Sequence, residues 1–264
     1  MKKLLKASVV RASALTPKDK FRMFDLMRQY YEAVSEEQFL SDLSRKDSVI
    51  ILRERDTQII QGFSTLVSLE IKHRGRIQRG IFSGDTVIEK KYWGQRVLGK
   101  AFLRYLLLEK LLHPFSPLYW LLISKGYKTY LLMANNFAEH YPRYEMSTPP
   151  DKKELADAFY KNLFAPFYNS DIGRIRFTEK ACHLKYGVAD ISQELLTTNP
   201  RIAFFQRVNP HWEQGEELAC MARMTLSMPV IYAIKSLLKN CGLASMLPGK
   251  GWVTPPPEER NPII

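Results

Sequence analysis

Apolar and polar positions alternate at the start of the chain, recur at helical spacing over the next forty residues, and then alternate again. Residues 6–13 predict a strand. Thr16-Pro17 sets a capping hydroxyl before a proline at the first helical position. The run 21–31, Phe-Arg-Met-Phe-Asp-Leu-Met-Arg-Gln-Tyr-Tyr, then carries helical periodicity. Ser35-Glu-Glu-Gln38 matches a capping box and restarts a helix through 43. Three strand-like runs follow at 48–53, 59–71 and 76–88, separated by Arg55-Asp56 and His73-Arg74-Gly75, both short enough for hairpin turns. A helix is predicted at 97–112, closed by His113-Pro114. Ser116-Pro117 opens a short apolar helix over 118–123 that stops at Gly126, and 128–135 reads as a strand. Residues 150–196 read as mainly helical, 202–208 and 218–225 as strands, and 230–238 as a helix. The tail with Pro255-Pro-Pro257 reads as loosely held. No repeat or low-complexity linker interrupts this order. It predicts one α/β (α+β) domain in three parts: a core over 1–145, a helical elaboration with closing strands over 146–240, and an extended tail over 241–264.

Composition narrows the class. With 45% apolar and 25% charged residues among 264, the chain can bury a core and is not disordered. No apolar run reaches the roughly 18 residues of a membrane span. Lys6 and Arg11 interrupt the apolar start, so it reads as a strand rather than a signal segment. Cys182, Cys220 and Cys241 lie far apart with no CxxC. That argues against a disulfide framework or a metal site and fits a reducing cytoplasm. No GxSxG is present, and Cys182-His183, expected in a basic helix, are neighbours that would not face each other.

The net charge of +12 predicts an anionic partner without saying which. Residues 71–100 hold eight basic side chains and two acidic ones, half of the excess in thirty residues. A nucleic-acid or membrane-surface binder would explain the charge without catalysis, but no recognition helix, aromatic RNA-binding strand or basic amphipathic helix is clear in the sequence, and nucleic acid is not the expected partner.

The basic stretch contains Ile88-Glu-Lys-Lys-Tyr-Trp-Gly-Gln-Arg-Val-Leu-Gly-Lys-Ala101, between a predicted strand and helix, where a helix N-terminus offers unpaired amides to a phosphate. Gly94-Gln-Arg-Val-Leu-Gly99-Lys100 fits a Walker A spacing. Ala101 stands where the magnesium-holding hydroxyl belongs, however, and the upstream strands are antiparallel. Arg96-Val-Leu-Gly99-Lys-Ala101 also fits Arg/Gln-x-x-Gly-x-Gly/Ala, and in this order of elements it resembles the pyrophosphate loop of the GNAT superfamily of acyl-CoA-dependent N-acyltransferases. Ile88 to Gly94 is similar to that family's V-x-P-x-Y-x-G approach, and Asn135-Asn-Phe-Ala138 to its N-x-x-A after the fifth strand. Alignment on Tyr92-Trp-Gly94 puts Arg96 and Leu98 where the family usually has glycines.

The resemblance implies a mixed, mostly antiparallel sheet flanked by helices. Its fourth and fifth strands would splay around the donor, acyl-CoA, and no metal would take part. Thr86, Val87 and Ile88 would pair with the pantetheine arm. The amides of Gln95, Arg96, Val97, Leu98, Gly99, Lys100 and Ala101 would cradle the pyrophosphate with charge from Lys91 and Lys100, and Asn135 could bond the pantetheine. Direct attack by a primary amine needs a base, for which Asp85 is the nearest carboxylate; the same residue could instead pair with Arg79 or Arg76. Tyr141, then Tyr144, could protonate the leaving thiolate, while His140 reads as a surface histidine. Arg74, Arg76 and Arg79 could serve the 3′-phosphate or an acidic acceptor protein. The apolar 118–123 could pack in the core or wall a long acyl chain. With the residues beyond the core, the build resembles the fatty-acyl GNAT maturases of bacterial ribosomal peptides, which implies a lysine or ornithine side chain of a peptide as acceptor. A GNAT-like fold without catalysis, serving as a basic binding module, is the other function compatible with these residues.

Overall fold

A capped first turn, a hairpin pair and one parallel crossover set the architecture. The computed structural model describes residues 4–177, 183–185 and 189–227. β1 (Leu5–Arg11) leads through a short 3-10 turn to α1 (Pro17–Tyr30), whose Thr16 hydroxyl accepts from the Asp19 amide. β2 (Tyr31–Glu32) precedes α2 (Glu36–Ser44), capped by Ser35. β3 (Ser48–Glu54), β4 (Ile60–His73) and β5 (Arg76–Ile88) form the antiparallel meander. Next come α3 (Val97–Leu112), β6 (Leu118–Ser124), α4 (Tyr127–Asn136), β7 (His140–Tyr141) and α5 (Pro150–Phe164). The short strands β8 (Tyr168–Asn169), β9 (Arg174–Ile175) and β10 (His183–Leu184) precede α6 (Gln193–Thr198), α7 (Pro200–Val208) and β11 (Glu217–Met224).

The sheet order is β1-β3-β4-β5-β6-β11-β9-β8, with β7 beside β11, and β10 pairs separately with β2. Every pairing is antiparallel except β5 with β6, which α3 connects as a crossover. The chain is therefore a mixed α/β fold with a mostly antiparallel central sheet flanked by helices.

Strand alternation assigns the two faces. Leu66, Ile81, Ile88, Trp120 and Leu122 point to the side covered by α3, α4 and α7. On the opposite side two helical layers divide the sheet. α1 and α2 cover Val49, Ile51, Phe63 and Val87, and α5 covers Phe82, Tyr119, Leu121, Ala219 and Met221. Along β4, Phe63 lies under the first layer and Val67 beside the second. Thr65 falls between them, fully buried.

Several expectations need correction. Residues 118–123 form the strand β6, not a helix. This central strand is buried on both faces, so its apolar residues run without alternation and its period carries no signal. Residues 128–135 belong to α4, not a strand: Tyr127, Tyr130, Met133, Ala134 and Phe137 are buried at helical spacing. Residues 202–208 lie in α7 rather than a strand, because Asn199 caps the Arg201 amide and Pro200 occupies the first position. Between 150 and 196 the helices α5 and α6 are separated by β8, β9 and β10, so the region is less helical than expected. His183 lies in a strand, while Cys182, the helix expected over 230–238 and the tail over 241–264 fall outside the described residues. His140 is buried rather than on the surface. Its Nδ1 lies 2.8 Å from the Phe137 carbonyl, and burial pushes its pKa down to about 4.

Beside its apolar contacts, α5 is tied to the two central strands by a buried hydroxyl. Tyr160 Oη, on a fully buried side chain, lies 2.7 and 2.6 Å from the Leu122 and Cys220 carbonyls and accepts from the Cys220 amide at 3.1 Å. Tyr160→Phe should destabilise the chain by about 1–3 kcal/mol in urea denaturation, because these buried groups lose a partner. An unchanged midpoint would show that α5 does not depend on this bond.

Candidate functional site

The parallel pair β5 and β6 does not stay together. Pairing runs from Arg79 with Leu118 to Ser83 with Leu122, and then stops, although β5 continues through Ile88. The register with β4 explains the divergence. Ser64 opposes Thr86 and Leu66 opposes Ser83, so Thr65 alone faces both Gly84 and Asp85. Such a bulge bends and twists the strand that carries the extra residue. Beyond it, no described strand pairs with the β6-facing edge of Gly84–Ile88. Thr86 keeps this stretch on β4: its hydroxyl donates to the Gly84 carbonyl at 3.0 Å and lies 2.7 Å from the Ser64 hydroxyl.

The loop that follows is pinned on its inner side. Trp93 Nε1 donates to the Ile88 carbonyl (2.8 Å), and the Lys90 amide donates to the Tyr30 hydroxyl (2.7 Å). Gly94 and Arg96 take left-handed φ values of 82° and 56°, which turn the chain into α3. The first helical bond is Lys100 N to Arg96 O (3.2 Å); the amides of Val97, Leu98 and Gly99 have no acceptor among the described residues. Lys91, Arg96 and Lys100 are exposed around this helix start, and none forms an ion pair with a described residue. Three unpaired amides, the positive helix end and three cations fit a multiply charged anion such as a diphosphate. The free edge of β5 can pair with an amide-bearing arm leading away from that anion.

On the other face of the sheet, between α1/α2 and α5, the divergence exposes a charged group. Asp85 is half-buried and makes no hydrogen bond or ion pair with a described residue. Glu217, at the start of β11, is buried and lies 3.2 Å from Lys125 Nζ, just past β6. Burial raises the Glu217 pKa above the usual carboxylate range; Lys125 opposes the shift, Asp85 adds to it and Lys46 opposes it. Lys125 also stands 5.5 Å from the Tyr31 ring centroid. Two carboxylates and two ammonium groups therefore share the gap.

The residues expected from the sequence are only partly brought together. Asp85 lies in the bulge, Thr86, Val87 and Ile88 on the open edge, and Gln95 to Ala101 along the loop and the first turns of α3. Asn135 does not follow the fifth strand of the meander and crossover, which is β6. It ends α4, where its Oδ1 accepts from Arg201 Nη1 (2.5 Å). Tyr141 sits on β7 opposite Met221, three strand spacings or about 14 Å from β5. Burial, followed by Glu139, raises its phenol pKa further. Tyr144 is 37% exposed in the turn beyond. The alternative partners of Asp85 are not found either, since Arg79 pairs with Glu70 (2.5 Å). Arg74 pairs with Glu154, and the hairpin tip lies about 40 Å along β5 from the loop, out of reach of an anion there.

Sequence reasoning missed Glu217, Lys125 and Lys46. The signal was slight: Glu216-Glu217 directly before an apolar strand-like run, where a carboxylate at a strand start is easily taken for a solvent-facing boundary.

No family model matches the chain, and no curated protein does. Among solved structures it resembles a probable N-acyltransferase of unknown function from Enterococcus faecalis (16% identity, TM-score 0.36), over 49% of this chain and 32% of that one. It also resembles a GNAT family N-acetyltransferase from Escherichia coli in complex with CoA (15%, TM-score 0.36), over 52% of this chain and 71% of that one. A third likeness is to glucosamine-6-phosphate N-acetyltransferase from Arabidopsis thaliana (13%, TM-score 0.37), over 56% and 99% of the two chains. The chain thus spans about a third of the Enterococcus protein. Likeness at this level carries no functional argument.

Proposed function

We propose that the chain is an acyl-CoA-dependent N-acyltransferase that moves an acyl group to a primary amine by direct attack. The observation that carries this is the divergence of β5 from β6 directly before a helix start with three unpaired amides. An anion-binding turn and an open strand edge on one continuous segment suit a donor with a diphosphate and an amide-bearing arm.

Acyl-CoA, when bound, supplies a thioester already activated toward amines. Val97, Leu98 and Gly99 would hold the diphosphate, aided by Lys91, Arg96 and Lys100. The edge at Thr86–Ile88 would align the arm, and a backbone amide near the bulge would polarise the acyl oxygen. The acceptor would enter from the face between α1/α2 and α5. Asp85 would meet its ammonium, and Glu217 would take the proton before attack. Glu217 rather than Asp85 is assigned the base because a carboxylate with a raised pKa accepts protons better near neutrality. Tyr127, opening α4 three residues past the end of β6, would protonate the departing sulfur in place of Tyr141 and Tyr144.

The peptide-lysine reading drew on the build beyond the core, and the long-acyl reading on 118–123 as an apolar helix. With those residues in a core strand, no feature of the described residues selects either, and acyl length is left to experiment.

Two measurements test the proposal. CoA should raise the melting temperature, and Gly99→Glu should weaken CoA binding about tenfold or more by placing a carboxylate among the helix-start amides. Absence of stabilisation by any CoA species would refute the donor assignment. Glu217→Gln should lower kcat by roughly 10²–10⁴ with the KM for acyl-CoA retained. In the native enzyme the rate should rise with pH through a Glu217 limb above the ordinary 4.5. Asp85→Asn, which removes a neighbouring negative charge, should move that limb to lower pH. A limb that ignores Asp85, or full activity in Glu217→Gln, would rule out Glu217 as the base.

A further inference from the structure

The turn after α2 carries a cation that the proposed chemistry does not use. Lys46 is half-buried, forms no ion pair with a described residue, and holds its Nζ 5.6 Å from the Phe82 ring centroid. It lies directly over the bulge. A side chain built at Gly84 would place its Cβ 3.2 Å from Lys46 Nζ and 2.7 Å from Thr65 Oγ1. The Thr65 hydroxyl is fully buried and has no hydrogen-bond partner among the described residues. Two donors without a hydrogen-bond or ion-pair partner among the described residues, one of them charged, thus pack against the backbone at Gly84, where a side chain would crowd both. An unpaired buried hydroxyl calls for a hydrogen-bond partner, and an ammonium beside it calls for an anionic one. The next residue is Asp85, an unpaired carboxylate. Opposite charges therefore stand beside neighbouring positions of β5, Lys46 against Gly84 and the carboxylate on Asp85, without an ion pair to any described residue.

We infer that the acceptor is a small zwitterion of the amino-acid type, whose carboxylate is bound by Lys46 and Thr65 while its amine faces Asp85 and Glu217. This rests on the N-acyltransferase reading and deepens it by naming the acceptor class. Lys125 does not compete for the carboxylate, because Glu217 already neutralises it at 3.2 Å. Gly84 has a part as well: a side chain there would press its Cβ against Thr65 Oγ1 and Lys46 Nζ and displace them.

The test is a competition between matched acceptors. Acetyl-CoA is supplied with each common free amino acid or with its carboxamide, and kcat/KM is measured on the alkaline plateau where Glu217 is ionised. Native protein should prefer the free acid of at least one pair by roughly 10- to 100-fold, the range expected for a hydrogen bond to a charged group. Lys46→Met, which keeps the stem and removes the charge, should collapse that ratio toward one, and Lys46→Arg should restore part of it. Thr65→Val should lower the ratio without abolishing transfer to the amides. A native ratio near one for every pair, or a ratio untouched in Lys46→Met, would overturn the inference while leaving the transferase reading intact. Failure of any CoA species to stabilise the native protein would overturn both.

Discussion

One residue too many on β5 organises this molecule. Thr65 cannot pair with both Gly84 and Asp85, so the strand buckles there and leaves β6 behind. A regular ladder would have closed the sheet and satisfied every edge group. The bulge instead opens a wedge at its centre, with one wall made of unpaired backbone. The energetic burden is modest because Thr86 and Ser64 tie the buckled segment back to β4 by their hydroxyls. It is also local. Below the bulge, Trp120 Nε1 donates to the Ser83 hydroxyl (2.8 Å) and keeps β5 and β6 joined up to the point of divergence.

The wedge separates two electrostatic environments. On one side α3 begins in a cluster of exposed cations, where solvent screens them and a polyanion can still collect them. On the other side two carboxylates and two ammonium groups meet away from bulk solvent, and Lys125, Asp85 and Lys46 each act on the proton affinity of buried Glu217. The overall excess of +12 therefore describes the first environment and conceals the second. Arg74 and Arg79, which swelled the count, are occupied in tying the hairpin to Glu154 and Glu70.

What could be read in advance followed local rules. The meander β3–β5 showed as apolar, β-rich runs between short turns, with clear alternation only in the second half of β4, and α1 and α2 announce themselves through Thr16 and Ser35. The turn into α3 was legible because Gly94, Arg96 and Gly99 lie in one continuous stretch. β6 was opaque for the opposite reason, since burial on both faces erases periodicity. That misassignment displaced the fifth strand and took Asn135 and Tyr141 with it into the expected site. Glu217 was harder still. Its environment comes from β11 pairing with β6, a contact between segments nearly a hundred positions apart, and no local pattern encodes it.

The insertion of β11 between β6 and β9 also has a temporal side. Asp85, Lys46 and the α3 turn are all synthesised well before Glu217, which emerges more than a hundred residues after them. A nascent chain that has folded its meander and crossover would hold a donor-shaped wedge with no buried carboxylate beside it. The late strand then completes the charge group in the same movement that seals the sheet. Under the roles assigned above, competence would arrive with synthesis of the final described strand, and partial chains on the ribosome would stay silent.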